Sequence, residues 1–222
     1  SNSGDGPLFV SLADPVNPVI VDEYGPSDYF HDAQVVVYDG PDTDYTGKEI
    51  MIGCNENNMK ILDVTDKANP VVISTVTYSN TSYTHQGWFT EDKRFFIVGD
   101  EVDEEDFGFN TRTLVFDLTD LDNPHPQGPS TPFYTYSGPT SAIDHNGYVR
   151  GNRFYLANYS AGVRIIKLDG LYDPVPSMTE VNSFDTYPST NSASFNGIWN
   201  VYPYFESGNL IASGFGLSLI HI

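Results

Sequence analysis

Apolar and polar positions alternate in short runs along almost the whole chain, and the runs recur at a fixed interval. Residues 8–12, 59–64, 113–118 and 163–168 are each rich in Val, Ile, Leu and Phe with period-two stretches. That is the signature of strands rather than helices. A turn follows each run. Asp14-Pro-Val-Asn-Pro18, Asp66-Lys-Ala-Asn-Pro70 and Asp120-Leu-Asp-Asn-Pro124 share the pattern D-x-x-N-P, and Asp173-Pro174 is a worn fourth copy. Proline fixes φ and drives the preceding Asn out of the helical region, so the turn closes there. Further β-branched runs follow at 19–21 and 71–76.

The turn aspartates lie 52, 54 and 53 residues apart. A repeat of that size predicts propeller blades, small sheets that must stack on neighbours to bury both faces. The middle repeats divide into four strands each: 33–38, 49–54, 59–64 and 71–78; then 84–90, 94–99, 113–118 and a ragged strand near Tyr134; then 146–150, 154–158, 163–168 and 180–187. Residues 7–24 supply the last two strands of an earlier blade, and 195–213 the first two of a later one. No run of three or more helical turns is present. The expected fold is all-β, a β-propeller of four-stranded antiparallel blades, incomplete, with about four of roughly seven blades in residues 1–216. Residues 217–222, Leu-Ser-Leu-Ile-His-Ile, break the pattern and read as a non-native, adapter-derived tail, so His221 is set aside.

Charge narrows the partners. With 30 acidic and 10 basic residues the net charge is −20, which disfavours nucleic acid and anionic membrane surfaces. No stretch nears 18 uninterrupted apolar residues, so no membrane span is expected. The single cysteine, Cys54, can form no internal disulfide and reads as a small buried residue.

Two constellations carry candidate chemistry. The first is a register through the opening strands: His31-Asp-Ala33, His85-Gln-Gly87, His145-Asn-Gly147 and Phe195-Asn-Gly197. Opening strands line a propeller's axis, so His31, His85 and His145 are expected to converge there, with Gln86, Asn146 and Asn196 beside them as binding candidates. Converging imidazoles suit a transition metal or acid–base work. The competing reading is blade grammar, each His bonding a neighbour's backbone. The second is the loop after residue 38, where Asp42, Asp44, Thr46 and Gly47 reproduce the opening of a calcium loop, with Glu49, Asp39 or backbone carbonyls to complete it. Asp, Thr and Gly are equally plain turn formers. The run Asp100–Asp106 reads as a solvated surface loop, with a second cation site as the alternative; Phe107 and Phe109 suggest that the insert folds back onto the propeller, with Arg112 pairing one carboxylate. No G-x-S-x-G, G-x-G-x-x-G or H-E-x-x-H string is present.

Tyr29-Phe-His-Asp-Ala-Gln-Val-Val-Val-Tyr38, Gly40-Pro-Asp-Thr-Asp-Tyr-Thr-Gly-Lys-Glu-Ile50, Tyr83-Thr-His-Gln-Gly-Trp-Phe-Thr-Glu-Asp92 and Phe195-Asn-Gly-Ile-Trp199 resemble the choice-of-anchor B family. The likeness covers residues 7 to about 214. It implies an exported or cell-surface bacterial propeller of LVIVD repeats, with signal and anchor outside this stretch; it does not imply a reaction. The expectation is therefore a binding or scaffold module for a surface ligand or protein, with bound Ca2+ as its one candidate cofactor. The alternative is a metal-dependent hydrolase or lyase using the axial histidines.

Overall fold

The computed structural model describes residues 6–25, 29–124 and 131–215, together with the backbone of 217–221. Among the described residues, seventeen strands form five antiparallel sheets, and consecutive strands pair within each sheet. The first sheet has two strands, β1 (Leu8–Ser11) and β2 (Val19–Glu23). The second runs β3 (Asp32–Val37), β4 (Glu49–Cys54), β5 (Met59–Asp63), β6 (Val71–Val76). The third runs β7 (Thr84–Phe89), β8 (Phe95–Asp100), β9 (Arg112–Asp117), β10 (Tyr134–Ser137). The fourth runs β11 (Gly147–Arg150), β12 (Arg153–Ala157), β13 (Val163–Lys167), β14 (Thr179–Phe184). The fifth is β15 (Ile198–Tyr202), β16 (Ile211–Gly214) and the backbone strand β17 (Leu217–His221). The reading of 217–222 as a foreign tail concerns side chains outside the described residues.

The first strands β3, β7, β11 and β15 lie side by side, which makes them the inner wall of the assembly. The sheets stack face to face, and β8 shows why the sequence allows it. Its six residues are all buried, yet alternate side chains point to opposite faces. Phe96 and Val98 pack with Tyr38, Ile50 and Ile61 of the second sheet. Phe95 and Ile97 pack with Val149, Phe154 and Ile166 of the fourth. Each middle sheet is thus apolar on both faces, and burial of that surface is the main stabilising term.

The repeated turn has a physical cause beyond its proline. Asp66 accepts from Ala68 N–H at 3.1 Å and Asn69 Nδ2 at 2.9 Å, while Asn69 N–H reaches Asp66 C=O at 3.1 Å. Asp14 makes the same three bonds with Val16 and Asn17. The aspartate closes a side-chain turn and the asparagine clamps it. The glycines of the His-x-Gly register are likewise specific. A Cβ on Gly87 would lie 2.2 Å from the Phe96 ring, and one on Gly147 would lie 2.0 Å from the Phe154 ring. A ring from each second strand occupies the space over the first strand's glycine.

Cys54 is 1% exposed, and burial, helped by Asp32, pushes its thiol well above the ordinary range. It is expected to stay unreactive toward an aromatic disulfide reagent in the folded chain and to react fully once unfolded. Rapid labelling of the native protein would show that β4 opens readily.

Candidate functional site at the hub

Three imidazoles from three sheets meet at the entrance to the inner strands. His31 precedes β3, His85 is the second residue of β7, and His145 lies two residues before β11. His31 Nε2 and His85 Nε2 are 2.8 Å apart. The rings of His85 and His145 have centroids 4.3 Å apart, as do those of His31 and His85. Glu101, just past β8, reaches into the same space: Oε2 lies 3.5 Å from His85 Nε2 and Oε1 lies 3.4 Å from His145 Nε2. Donor atoms of His85, Glu101 and His145 all fall within 4.8 Å of one another.

Neighbouring groups orient these donors. His145 Nδ1 is 2.5 Å from the Trp199 carbonyl. A carbonyl only accepts, so Nδ1 carries the proton and Nε2 presents its lone pair to the centre. Tyr159 Oη donates to Glu101 Oε1 at 2.6 Å. Its backbone φ is 29°, a costly position for a bulky residue that persists only where surrounding structure enforces it. The hydroxyls of Tyr29 and Tyr83 lie 3.0 and 3.1 Å from His31 Nδ1. Burial, with the adjoining His145 and His31 rings adding to it, drives His85 down to about 2. Burial likewise takes His145 to about 4 and lowers His31. Burial raises Glu101, against the opposing pull of the Tyr159 hydroxyl. At neutral pH the two enclosed rings are uncharged.

The other sequence candidates have different surroundings. Gln86 Oε1 accepts from Gly147 N–H at 3.0 Å, and Asn146 Nδ2 donates to the Trp199 carbonyl at 3.3 Å. Both side chains tie one inner strand to the next. Asn196 is exposed ahead of β15. Phe195, in the fourth His position, packs edge-on against Tyr159 at 5.4 Å. In the loop after residue 38, Asp42 caps a short 3₁₀ turn through Asp44 N–H at 3.3 Å and accepts from Leu121 N–H at 2.8 Å. Glu49 is paired with Lys67, and Thr46 is exposed. Among the described residues, the carboxylates that draw near Asp42 are Asp120 and Asp122 from the next sheet, rather than Asp44 or Glu49.

The acidic run corrects the sequence expectation of a solvated loop. It carries a one-turn helix, α1 (Asp103–Phe107), and Asp100, Asp103 and Glu104 are buried. Asp100 accepts from Ser82 and Tyr83 N–H and from Tyr78 Oη. Arg112 Nε donates to Asp103 Oδ2 at 2.5 Å. Sequence reasoning missed Glu101 and Tyr159. A signal existed for Glu101: it follows Asp100, which pairs with Thr84, one residue from His85.

No family model and no curated protein matches the chain. Solved structures do. The β-propeller domain of Cps50 (Swd1) from Myceliophteria thermophila aligns at 11% identity with a TM-score of 0.52, over 87% of this chain and 52% of that one. The fold is a β-propeller. A chain of an active polycomb repressive complex 2 in its basal state aligns at 12% identity and TM-score 0.56, over 88% of this chain and 45% of its own length. The propeller thus spans about half the length of these structures, and at such identity the likeness extends to the fold alone. No helix among the described residues is long and apolar enough to cross a membrane.

Proposed function

We propose that this chain is a propeller binding module organised around a transition-metal centre at its hub, with His85, His145 and Glu101 as donors and His31 beside His85. The spacing of the donor atoms carries the reading. A tetrahedral zinc site with bonds near 2.0–2.1 Å sets its ligands about 3.3 Å apart. Here Glu101 stands 3.4 Å from His145 Nε2 and 3.5 Å from His85 Nε2, within a set of three donors that lie inside 4.8 Å of one another. Neutral imidazoles and a carboxylate suit zinc and its neighbours in the series. The Trp199 carbonyl behind His145 and the Tyr159 hydroxyl behind Glu101 are the outer partners that such ligands require.

Chelator-stripped protein is expected to take up one zinc or cobalt ion per chain, with cobalt giving the visible absorption of a low-symmetry site. Failure to bind zinc, cobalt, nickel or copper would overturn the reading. A second reading, a metal-dependent hydrolase or lyase, draws on the exposed position of His31 and the tyrosine hydroxyls beside it, which leave room for a substrate oxygen. Its mark is turnover by zinc-loaded protein that chelation abolishes. Through its resemblance to the choice-of-anchor B family, we also assign the chain to an exported or cell-surface protein whose partner is a surface ligand.

A further inference from the structure

The inner strands have a second end, and its chemistry differs from that of the histidines. His85 is the second residue of β7, whereas Trp88 and Phe89 are its last two, with Trp88 roughly 10 Å further along the strand. At that end lies a cleft of about 360 Å³, lined chiefly by Trp88, Tyr204, Val149, Gln34, Glu91 and Lys93. Aromatic rings form its wall. The Tyr204 ring centre stands 6.4 Å from that of Trp88 and 6.3 Å from that of Tyr148, and Trp88 meets Tyr148 edge-on at 4.9 Å. The row continues through Tyr202, 5.5 Å from Tyr204, and Phe205, 5.0 Å from Tyr202. Those last two residues are 48% and 40% exposed, a continuous aromatic surface that core packing does not call for.

The wall is held in place and its polar edge is pre-set. Tyr204 Oη donates to the Val149 carbonyl at 2.9 Å, which fixes the ring. Arg150 Nη1 donates to the Pro203 and Phe205 carbonyls at 2.6 and 3.0 Å, which anchors the segment carrying the row. Gln34 Oε1 accepts from Phe89 N–H at 2.8 Å, so its NH2 group remains to donate. Glu91 Oε1 accepts from Gly151 N–H, so Oε2 remains to accept. Charge then narrows the ligand. Lys93 is paired with Asp39 and Arg150 is spent on carbonyls, so an anion would gain neither as a partner, on a chain of net charge −20. Trp88 and Tyr148 touch each other, which leaves no gap between their rings for an ammonium group.

We propose that this cleft binds a neutral saccharide, with a sugar ring laid on Trp88 and Tyr204 and its hydroxyls bonded to Gln34 and Glu91. The C–H face of a pyranose is apolar and broad enough to cover an aromatic ring. Each sugar hydroxyl both donates and accepts, which matches an amide N–H and a carboxylate oxygen lining one cleft. Aromatic walls with a few fixed polar groups are the usual form of a small-molecule site. Tyr202 and Phe205 extend the platform past the cleft, so a chain of several sugars fits better than one. The proposal uses none of the imidazole donors, which stand at the other end of the strands.

The test is an array of neutral and uronate-containing oligosaccharides probed with the full chain, followed by titration calorimetry of the strongest neutral hit. Binding should be equal with and without excess chelator, so failure of the metal centre would leave this site standing. Tetramethylammonium chloride should give no binding. The chain has two tryptophans, so Trp199→Phe leaves Trp88 as the one indole, and the bound saccharide should shift its emission to the blue. Trp88→Phe, which keeps a smaller ring, should weaken binding about tenfold. Glu91→Gln, which keeps an acceptor for Gly151 N–H, should weaken it about fivefold. Retention of no neutral oligosaccharide would overturn the proposal, as would binding confined to uronates or to tetramethylammonium. So would a neutral hit that leaves Trp88 emission unmoved, or one whose affinity is unchanged in Trp88→Phe.

Discussion

Arg112→Met is expected to cost about 3–5 kcal/mol of folding stability, because it strips the counter-charge from buried carboxylates. Arg112 Nε holds Asp103, Nη1 donates to the Ser79 carbonyl at 3.1 Å and Nη2 to the Asn80 carbonyl at 2.8 Å. Its guanidinium also sits 5.0 Å from the centre of the Phe109 ring and 5.8 Å from that of Tyr78. Methionine keeps the apolar stem but none of these bonds. Lysine should rescue only in part, since a single ammonium cannot span the carboxylate and two carbonyls with one geometry. Urea unfolding monitored by tryptophan fluorescence reads the change as a fall in midpoint at constant slope. A loss under about 1 kcal/mol would mean that the carboxylates are neutralised without it.

His85→Ala is the second large effect. His85 is the one donor adjacent to both His31 and Glu101, so its loss divides the proposed centre. Zinc affinity should fall by more than a hundredfold. The benchmark is that removing an outer partner alone costs 10–100-fold, which is the effect expected of Tyr159→Phe. Competition with a chromogenic chelator measures both. The melting profile in excess chelator separates folding from binding: variants that fold normally yet bind zinc as tightly as the wild type would refute the centre.

The blade pattern was open to reading because its causes are local. An Asp–Asn clamp and a proline close the turns at Asp14 and Asp66, and alternation marks the strands between them. Convergence of the histidines was legible for a related reason: equal register in each repeat means equal height along the axis. Glu101 was hidden by its neighbours. A run of acids reads as solvated when judged alone, and only Arg112, 11 residues on in sequence, and the Asp144 segment of the next sheet reveal the burial. Tyr159 left no trace at all, since nothing local distinguishes a tyrosine held at φ 29°. The calcium-loop pattern at Asp42 was legible as spacing, but spacing does not disclose that its oxygens bond backbone amides or that Glu49 meets Lys67 from a D-x-x-N-P turn.

Histidines 54 and 60 residues apart along the chain end up as touching neighbours. An ion gripped by His85, Glu101 and His145 would behave as a mechanical knot. Drawn out by its two ends, the loaded molecule would shed its flanking sheets first and then resist, holding the middle of the chain as one loop until the knot gave way. Without the ion, the same blades would slip apart one after another at lower force.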